Sequence, residues 1–156
     1  MKNQITRDIL VGAGCVALQI VLFRHITIFG ASPDIVLVYL LWIMVTRDRT
    51  TAIIHGAALG FAADFFLDTW GLNMLSKTLL AFLGYPFTPK IEDTKLLYSQ
   101  VFVIILLAGL FHNLIFTGVA QFAEVFEVGH LFWVYWIGNS LLTAMIGTFF
   151  YLFKYN

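Results

Sequence analysis

The sequence predicts an all-α polytopic membrane protein with six transmembrane helices, and its composition, its charge-free segments and the placement of its basic residues all point to this class. Hydrophobic residues make up 60% of the 156 residues and charged residues 12%. A soluble domain carries about 25% charged residues, so this chain has too little polar surface for contact with water. Nine basic and nine acidic residues leave no excess of positive charge, which argues against a nucleic-acid-binding protein.

Two long charge-free segments give the strongest helix predictions. Residues 96–123 and 128–153 contain no Asp, Glu, Lys or Arg. At about 1.5 Å per residue, a helix over either segment is longer than the roughly 30 Å hydrocarbon core of a bilayer. We therefore expect the fifth and sixth helices over residues 97–123 and 131–153.

The first ninety residues predict four further helices that carry a few charges. Ser32 is a candidate N-cap of the second helix, Pro33 suits its first turn, and Asp34 complements the positive end of the helix dipole. Pro86 and Pro89 are expected to end the fourth helix. The predicted spans in this part are 9–28, 33–46, 51–67 and 70–87. A chain of four or five spans, with residues 51–87 as one re-entrant hairpin, is the alternative, and either form is a single transmembrane domain over residues 1–156.

The basic residues predict the orientation. With six spans, one face of the membrane carries Lys2, Arg7, Arg47, Arg49, Lys90, Lys95 and Lys154. The other face carries Arg24 as its only basic residue, with the acidic residues Asp34, Asp68, Glu124 and Glu127. Because cytoplasmic loops are enriched in Lys and Arg, both termini are expected in the cytoplasm, and the four-span alternative gives the same orientation of the termini.

A series of small residues in the third predicted helix ends at an acidic residue. Ala52, Gly56, Gly60 and Asp64 recur every four residues and therefore share one helix face. Small residues at this spacing let a neighbouring helix approach closely in membranes. One hypothesis places Asp64 at a buried interaction or ligand site, and the other makes it a hydrated acid near the outer interface.

Several polar side chains fall within the predicted spans. An unpaired Lys77 near the middle of the fourth helix would cost at least about 2.5 kcal/mol, so we expect it to pair, with Asp64 or Asp68 on the preceding helix as the natural candidate. Hydrogen bonds between helices are the expected role of His112, Asn113 and Asn139.

The sequence contains no motif for catalysis or metal binding. There is no HExxH, GxSxG, Walker A or dinucleotide-binding pattern. His55, His112 and His130 are too scattered for a ligand set, and one cysteine, Cys15, forms neither an internal disulfide nor a zinc site. We expect a protein that is not an enzyme and that needs no metal or cofactor.

Two segments carry a resemblance to a known family. Residues 28–37 read IFGASPDIVL, and residues 56–66 read GAALGFAADFF, followed by GLN at 71–73. They resemble the rod shape-determining protein MreD family, with its Pro-Asp turn before the second helix and its Gly-rich third helix with an Asp. The specific motifs lie within residues 19–85, and the last two helices match only as apolar spans. Asp68 departs from the family pattern, which usually has a small or amide residue there.

The resemblance implies a bacterial inner-membrane protein of the cell-elongation and peptidoglycan-synthesis complex, required for rod shape. Its implied partners are an MreC-like bitopic membrane protein and, through it, peptidoglycan synthases and MreB filaments. The implied fold is similar to the six-helix substrate-binding subunits of energy-coupling-factor transporters. Roles in helix packing or partner contact are implied for Pro33, Asp34, Gly56, Gly60, Asp64, Gly71 and Asn73.

An alternative function is a small-molecule-binding membrane subunit of a vitamin-type transporter. Such a protein would use a cavity among the helices, lined by Asp64, Lys77, His112 and Asn139. Neighbouring genes for MreB and MreC would favour the scaffold, and neighbouring genes for paired ATPases would favour transport.

Overall fold

The computed structural model describes residues 2–89, 96–124 and 131–155, and within them the chain is helical, with no strand beyond one isolated bridge. Helix α1 covers Lys2–Leu18 and continues as a π-helical segment, Gln19–Phe23. A second π-helical segment, Val134–Gly138, leads into the last helix. The remaining helices are α2 (Ile35–Thr46), α3 (Arg49–Leu67), α4 (Leu72–Gly84), α5 (Tyr98–Phe122) and α6 (Asn139–Tyr155). The prediction of an all-α chain is confirmed, and Lys90, Lys95, Glu127 and His130 lie outside the described residues.

The helix boundaries differ most from the predicted ones around the first loop and the third. The first helix begins at Lys2 rather than Ile9, and it ends at Phe23 rather than Ile28. Ile28 and Ala31 instead exchange two backbone hydrogen bonds around a tight turn in which φ is +54° at Phe29. Positive φ values also occupy the turn before α4, so that helix begins at Leu72 rather than at residue 70.

Within the described ranges, four helical segments are long and apolar enough to cross a membrane. They are Gln4–Phe23, Arg49–Leu67, Tyr98–Phe122 and Val134–Phe153. With 12 and 13 residues, α2 and α4 reach only about 18–20 Å. The lengths and compositions are those of a polytopic membrane protein.

Burial supports the same class, because charged and polar side chains share the interior with apolar ones while many large apolar side chains are exposed. Lys77, Asn113 and Thr143 are buried, whereas Phe65 and Phe153 are exposed. In a soluble protein, buried charged side chains and large exposed apolar surfaces are both uncommon. This arrangement is stable in lipid. Lipid tails offer no hydrogen-bond partners, so polar groups are satisfied inside the protein and apolar side chains face outward.

Helix α2 is the centre of the bundle and packs on each of the other five helices. It is apolar all round, and Leu37, Leu40 and Ile43 are completely buried, as expected for a helix enclosed by others. Around it, α1 packs on α3, α3 on α4, α4 on α5 and α5 on α6. On the remaining side, an apolar groove of about 430 Å³ lies between α1 and α6, with α2 as its floor.

A salt bridge ties α1 to the C-terminal end of α2. The Arg47 guanidinium donates to both carboxylate oxygens of Asp8, at 2.7 and 2.9 Å, and these hydrogen bonds raise the pKa of Arg47. The Tyr39 hydroxyl donates to the Asp8 carbonyl at 2.7 Å, and the Tyr85 hydroxyl donates to the Arg47 carbonyl at 2.9 Å. The C-terminal end of α2 is therefore held both to α1 and to the C-terminal end of α4.

Candidate functional site: a polar interior and its cavity

The polar interior begins at Asp34, which caps α2. One carboxylate oxygen accepts the backbone N–H of Leu37 at 2.8 Å, and the Asp34 N–H donates to the Thr143 hydroxyl at 2.9 Å. The predicted N-cap, Ser32, lies two residues before the observed one, and its N–H donates to Asn139 Oδ1 at 2.8 Å. Asp34 and Ser32 thus both fix the start of α2 against α6.

Gln19 makes the matching contacts from the π-helical segment that continues α1. Its amide donates to the Pro33 carbonyl at 3.0 Å and accepts the Ile35 N–H at 2.8 Å. These bonds satisfy one backbone acceptor and one backbone donor at the start of α2, where the helix itself cannot. Pro33 therefore sits at a junction of α1 and α2 that is fixed by side-chain hydrogen bonds.

Lys77 on α4 is the buried cation of this interior, with 1% of its surface exposed. Its ammonium lies 2.7 Å from Asp34 Oδ2, 2.7 Å from Asn73 Oδ1 and 3.3 Å from His112 Nε2. The expectation that Lys77 is paired is confirmed, but the partner predicted on the adjacent helix, Asp64 or Asp68, is wrong. The pair joins α4 to α2, and three acceptors match the three N–H bonds of an ammonium.

A directed chain of hydrogen bonds continues from Lys77 into α5 and α6. Because Lys77 donates to His112 Nε2, the neutral ring carries its proton on Nδ1, which lies 3.2 Å from Asn113 Oδ1. The Asn113 amide donates to the Ser140 hydroxyl at 2.9 Å, and Ser140 donates to the Trp136 carbonyl at 2.5 Å. The predicted interhelical hydrogen bonds are therefore present at both His112 and Asn113.

Asp64 caps the neighbouring helix from across a turn. Its two carboxylate oxygens accept the backbone N–H groups of Asn73 at 2.9 Å and Met74 at 2.7 Å, and one also accepts the Thr69 hydroxyl at 2.5 Å. Only 7% of Asp64 is exposed. The hypothesis of a hydrated acid is therefore wrong, because this carboxylate is buried and satisfies donors at the N-terminus of α4. A role of Asp64 in a ligand or partner site stays a prediction.

The glycines of α3 let α4 of the same chain approach closely. A Cβ atom on Gly56 would lie 2.9 Å from the Lys77 carbonyl oxygen, and one on Gly60 would lie 2.7 Å from the Asn73 carbonyl oxygen. The face on which a partner helix was expected is therefore occupied within the chain. Gly71 has a different role, because its φ of +85° forms the turn before α4.

A cavity of about 480 Å³ opens beside this interior. Of the candidates from the sequence, the structure brings Asp34, Asn73, Lys77, His112, Asn113 and Asn139 to its wall, together with Pro33. Asp64, Gly56 and Gly60 do not line it.

The residues of the cavity wall that sequence reasoning missed include Gln19, Arg24 and Tyr135. Gln19 was detectable as a lone amide within an apolar segment. The sequence placed Arg24 only as the basic residue of one membrane face. Over the described ranges, no group of three His, Cys, Asp or Glu side chains is placed to hold a metal ion.

The fold and the site define an α-helical membrane protein whose interior is organised around a buried Asp–Lys pair. No protein-family model, curated protein or solved structure matches this chain. The functional assignment therefore depends on its own residues and geometry.

Proposed function

We propose that this protein is a non-enzymatic membrane scaffold of the bacterial cell-elongation complex. In this proposal it lies in the inner membrane with six spans and both termini in the cytoplasm. It binds an MreC-like bitopic protein and, through it, peptidoglycan synthases and MreB filaments. The resemblance of residues 28–37 and 56–73 to the MreD family supports the assignment, and the α1–α6 groove supports the binding of a partner helix.

The groove carries the proposal because it is an opening in an otherwise closed ring of helices. Its floor is α2, and its walls come from α1, α5 and α6. Val38 and Trp42 are only partly covered there. Helices associate in membranes through close van der Waals contact, and one apolar helix in this groove would complete the ring.

The other surfaces of the bundle fit a partner helix less well. The Gly56–Gly60 face already receives α4, and Asp34 and Lys77 are bonded to each other. A partner that contacts this protein at membrane depth therefore meets apolar side chains. A single-span helix with an apolar face is the partner that matches this surface.

Photo-crosslinking tests the proposal position by position. Leu18 and Phe150 line the groove and are 44% and 46% exposed, whereas Phe61 on α3 is 62% exposed and lies outside it. With a photoreactive amino acid at each position in cells, we expect crosslinks to the MreC-like protein from residues 18 and 150. A crosslink from residue 61 alone, or from none of the three, would contradict the proposal.

Reporter fusions test the orientation separately. The proposal places Arg47 and Arg49 in the cytoplasm and Trp70 in the periplasm. A reporter active only in the periplasm should respond at residue 70 and stay silent after residue 49. The reverse pattern would overturn the six-span arrangement.

A second candidate function is favoured by the 480 Å³ cavity. A small-molecule-binding subunit of a transporter needs an enclosed site among its helices, and small-molecule pockets have volumes of about 300–1,000 Å³. Affinity purification from membranes separates the two functions. Recovery of an MreC-like protein supports the scaffold, and recovery of paired ATPases with a coupling protein supports the transporter subunit.

A further inference from the structure

The cavity lies among residues that the α1–α6 groove does not share. Its wall runs from buried Lys77 and His112 to exposed Arg24, which follows the end of the first helix. Apolar side chains, among them Leu67 and Phe116, cover part of the wall. The cavity wall is therefore partly polar and partly apolar, with one charged residue, Lys77, at its buried end and another, Arg24, at its exposed end.

The deep charges are already matched to one another. Lys77 directs its ammonium at Asp34, Asn73 and His112, so its three N–H bonds are all used. Asp34 in turn accepts from Lys77 and from the Leu37 N–H. This pair adds no net charge to the cavity and has no donor left for a ligand.

Arg24 is the cation of the cavity wall for which the described residues provide no anionic partner. In the part of the chain that the structure describes, no carboxylate lies within ion-pair distance of it. The charged groups of the wall are Arg24, Asp34 and Lys77, so the cavity carries one net positive charge when His112 is neutral. A guanidinium presents paired N–H groups that match the oxygens of a phosphate.

Asn139 supplies a second donor on the same wall. Its carbonyl oxygen accepts the Ser32 N–H at 2.8 Å, and its NH₂ group makes no hydrogen bond to the rest of the described chain. Tyr135 also lines the cavity. An amide N–H group without an acceptor, on the same cavity wall as an arginine without an anionic partner, suits a ligand whose anionic group supplies the acceptor oxygens.

We propose that this cavity binds an anionic phosphate ester, with Arg24 and Asn139 holding the phosphate and Leu67 and Phe116 contacting the rest of the ligand. Arg24 follows the end of a membrane-spanning segment, where lipid phosphates lie. The ester is therefore the headgroup of an anionic phospholipid or a free phosphate ester of similar size. This site does not depend on partner binding in the groove, so each proposal can fail without the other.

Two binding measurements on the full chain distinguish a phospholipid ligand from a free phosphate ester. In the first, the protein is released from nanodiscs of equal phosphatidylcholine and phosphatidylglycerol, and native mass spectrometry counts the retained lipids. In the second, thermal unfolding is followed in phosphatidylcholine nanodiscs with and without glycerol 3-phosphate. Preferential retention of phosphatidylglycerol identifies a lipid ligand, and a higher unfolding temperature with glycerol 3-phosphate identifies a soluble one.

Variants then assign the binding to this cavity. Arg24→Gln should weaken whichever binding is seen by about tenfold, the effect of losing one charge-assisted contact, whereas Arg24→Lys should weaken it less. Arg7→Gln is the matched control, because Arg7 is an exposed arginine near the N-terminal end of α1 and does not line the cavity. Leu67→Trp keeps every charge but fills the cavity, and it should give the same loss if Arg24→Gln does not fold.

Three results would overturn the proposal. The first is that neither phosphatidylglycerol nor glycerol 3-phosphate binds the unmodified protein. The second is that binding survives undiminished in Arg24→Gln, or in Leu67→Trp should the arginine variant not fold. The third is that Arg7→Gln loses as much binding as Arg24→Gln, because the anion would then respond only to overall charge.

Discussion

The polar interior around Lys77 and the apolar groove between α1 and α6 are built in opposite ways. In the interior, buried donors meet acceptors on other helices, and Asp34 alone contacts groups from α2, α4 and α6. In the groove, the central helix α2 presents mainly apolar side chains, among them Ile35, Val38 and Leu41. An apolar surface in a membrane can exchange lipid for protein at little cost, whereas a buried ion pair cannot be opened cheaply. The interior therefore determines the fold, and the groove remains available for a partner.

The largest expected effect comes from breaking the ion pair on one side. Lys77→Met leaves the Asp34 carboxylate buried without its cation, which typically costs about 3–5 kcal/mol. We expect a loss of this size in the unfolding free energy measured by detergent titration. The double variant Asp34→Asn/Lys77→Met keeps the cap acceptor and removes both charges, so it should recover most of the loss. A double variant no more stable than Lys77→Met would show that the pair is not what holds α2 to α4.

A smaller effect is expected where α3 and α4 touch. Gly60→Leu places a side chain against the Asn73 carbonyl and the Met74 backbone, and overpacking of this kind costs about 1–3 kcal/mol. Gly14→Leu is the matched control, because nothing lies within 4 Å of a Cβ atom there. The same detergent titration should show a loss for the first variant and almost none for the second. Equal losses would mean that α4 does not occupy this face in the membrane.

The smallest effect is expected at Asp48, which belongs to neither region. Asp48 is the N-cap of α3, and its hydrogen bonds from the Thr51 hydroxyl and backbone N–H lower its pKa. A lowered pKa in the folded state means that the stabilisation is present above the unfolded value of about 4 and is lost as the pH falls through the lower folded value. Because Asp48 is exposed, we expect a change of at most about 1 kcal/mol.

Asp48→Asn isolates this contribution, since it keeps an acceptor that does not titrate. The unfolding free energies of the two proteins should converge as the pH is lowered from about 6 to about 3. A constant difference between them over that range would show that the Asp48 cap does not form.

The sequence was sufficient for those features that depend on neighbouring residues. Charge-free segments located α5 and α6, and the spacing of Gly56, Gly60 and Asp64 identified a face that packs closely on another helix. The position of Pro33 and Asp34 located the start of α2. Each of these inferences uses the period of one helix or the chemistry of one turn.

The features that depend on the order of helices around α2 were not predictable in the same way. Lys77 was assigned to Asp64 or Asp68 because these lie on the adjacent helix, but Asp64 is used at the N-terminus of α4 and Asp34 reaches Lys77 from α2. The bridge between Asp8 and Arg47 joins residues far apart in sequence and has no local signal. The groove exists because α1 and α6 do not pack closely on each other. That property depends on the arrangement of all the helices and has no local signal in the sequence.

The dissociation constant for the MreC-like protein, measured with purified components in phosphatidylcholine vesicles, tests the role of the groove most directly. Phe150→Ala removes an exposed ring from the groove, and Phe61→Ala removes one from α3 outside it. We predict that Phe150→Ala weakens binding by about tenfold and that Phe61→Ala leaves it unchanged. Unchanged binding with Phe150→Ala, together with weaker binding with Phe61→Ala, would place the partner on another face and contradict the account.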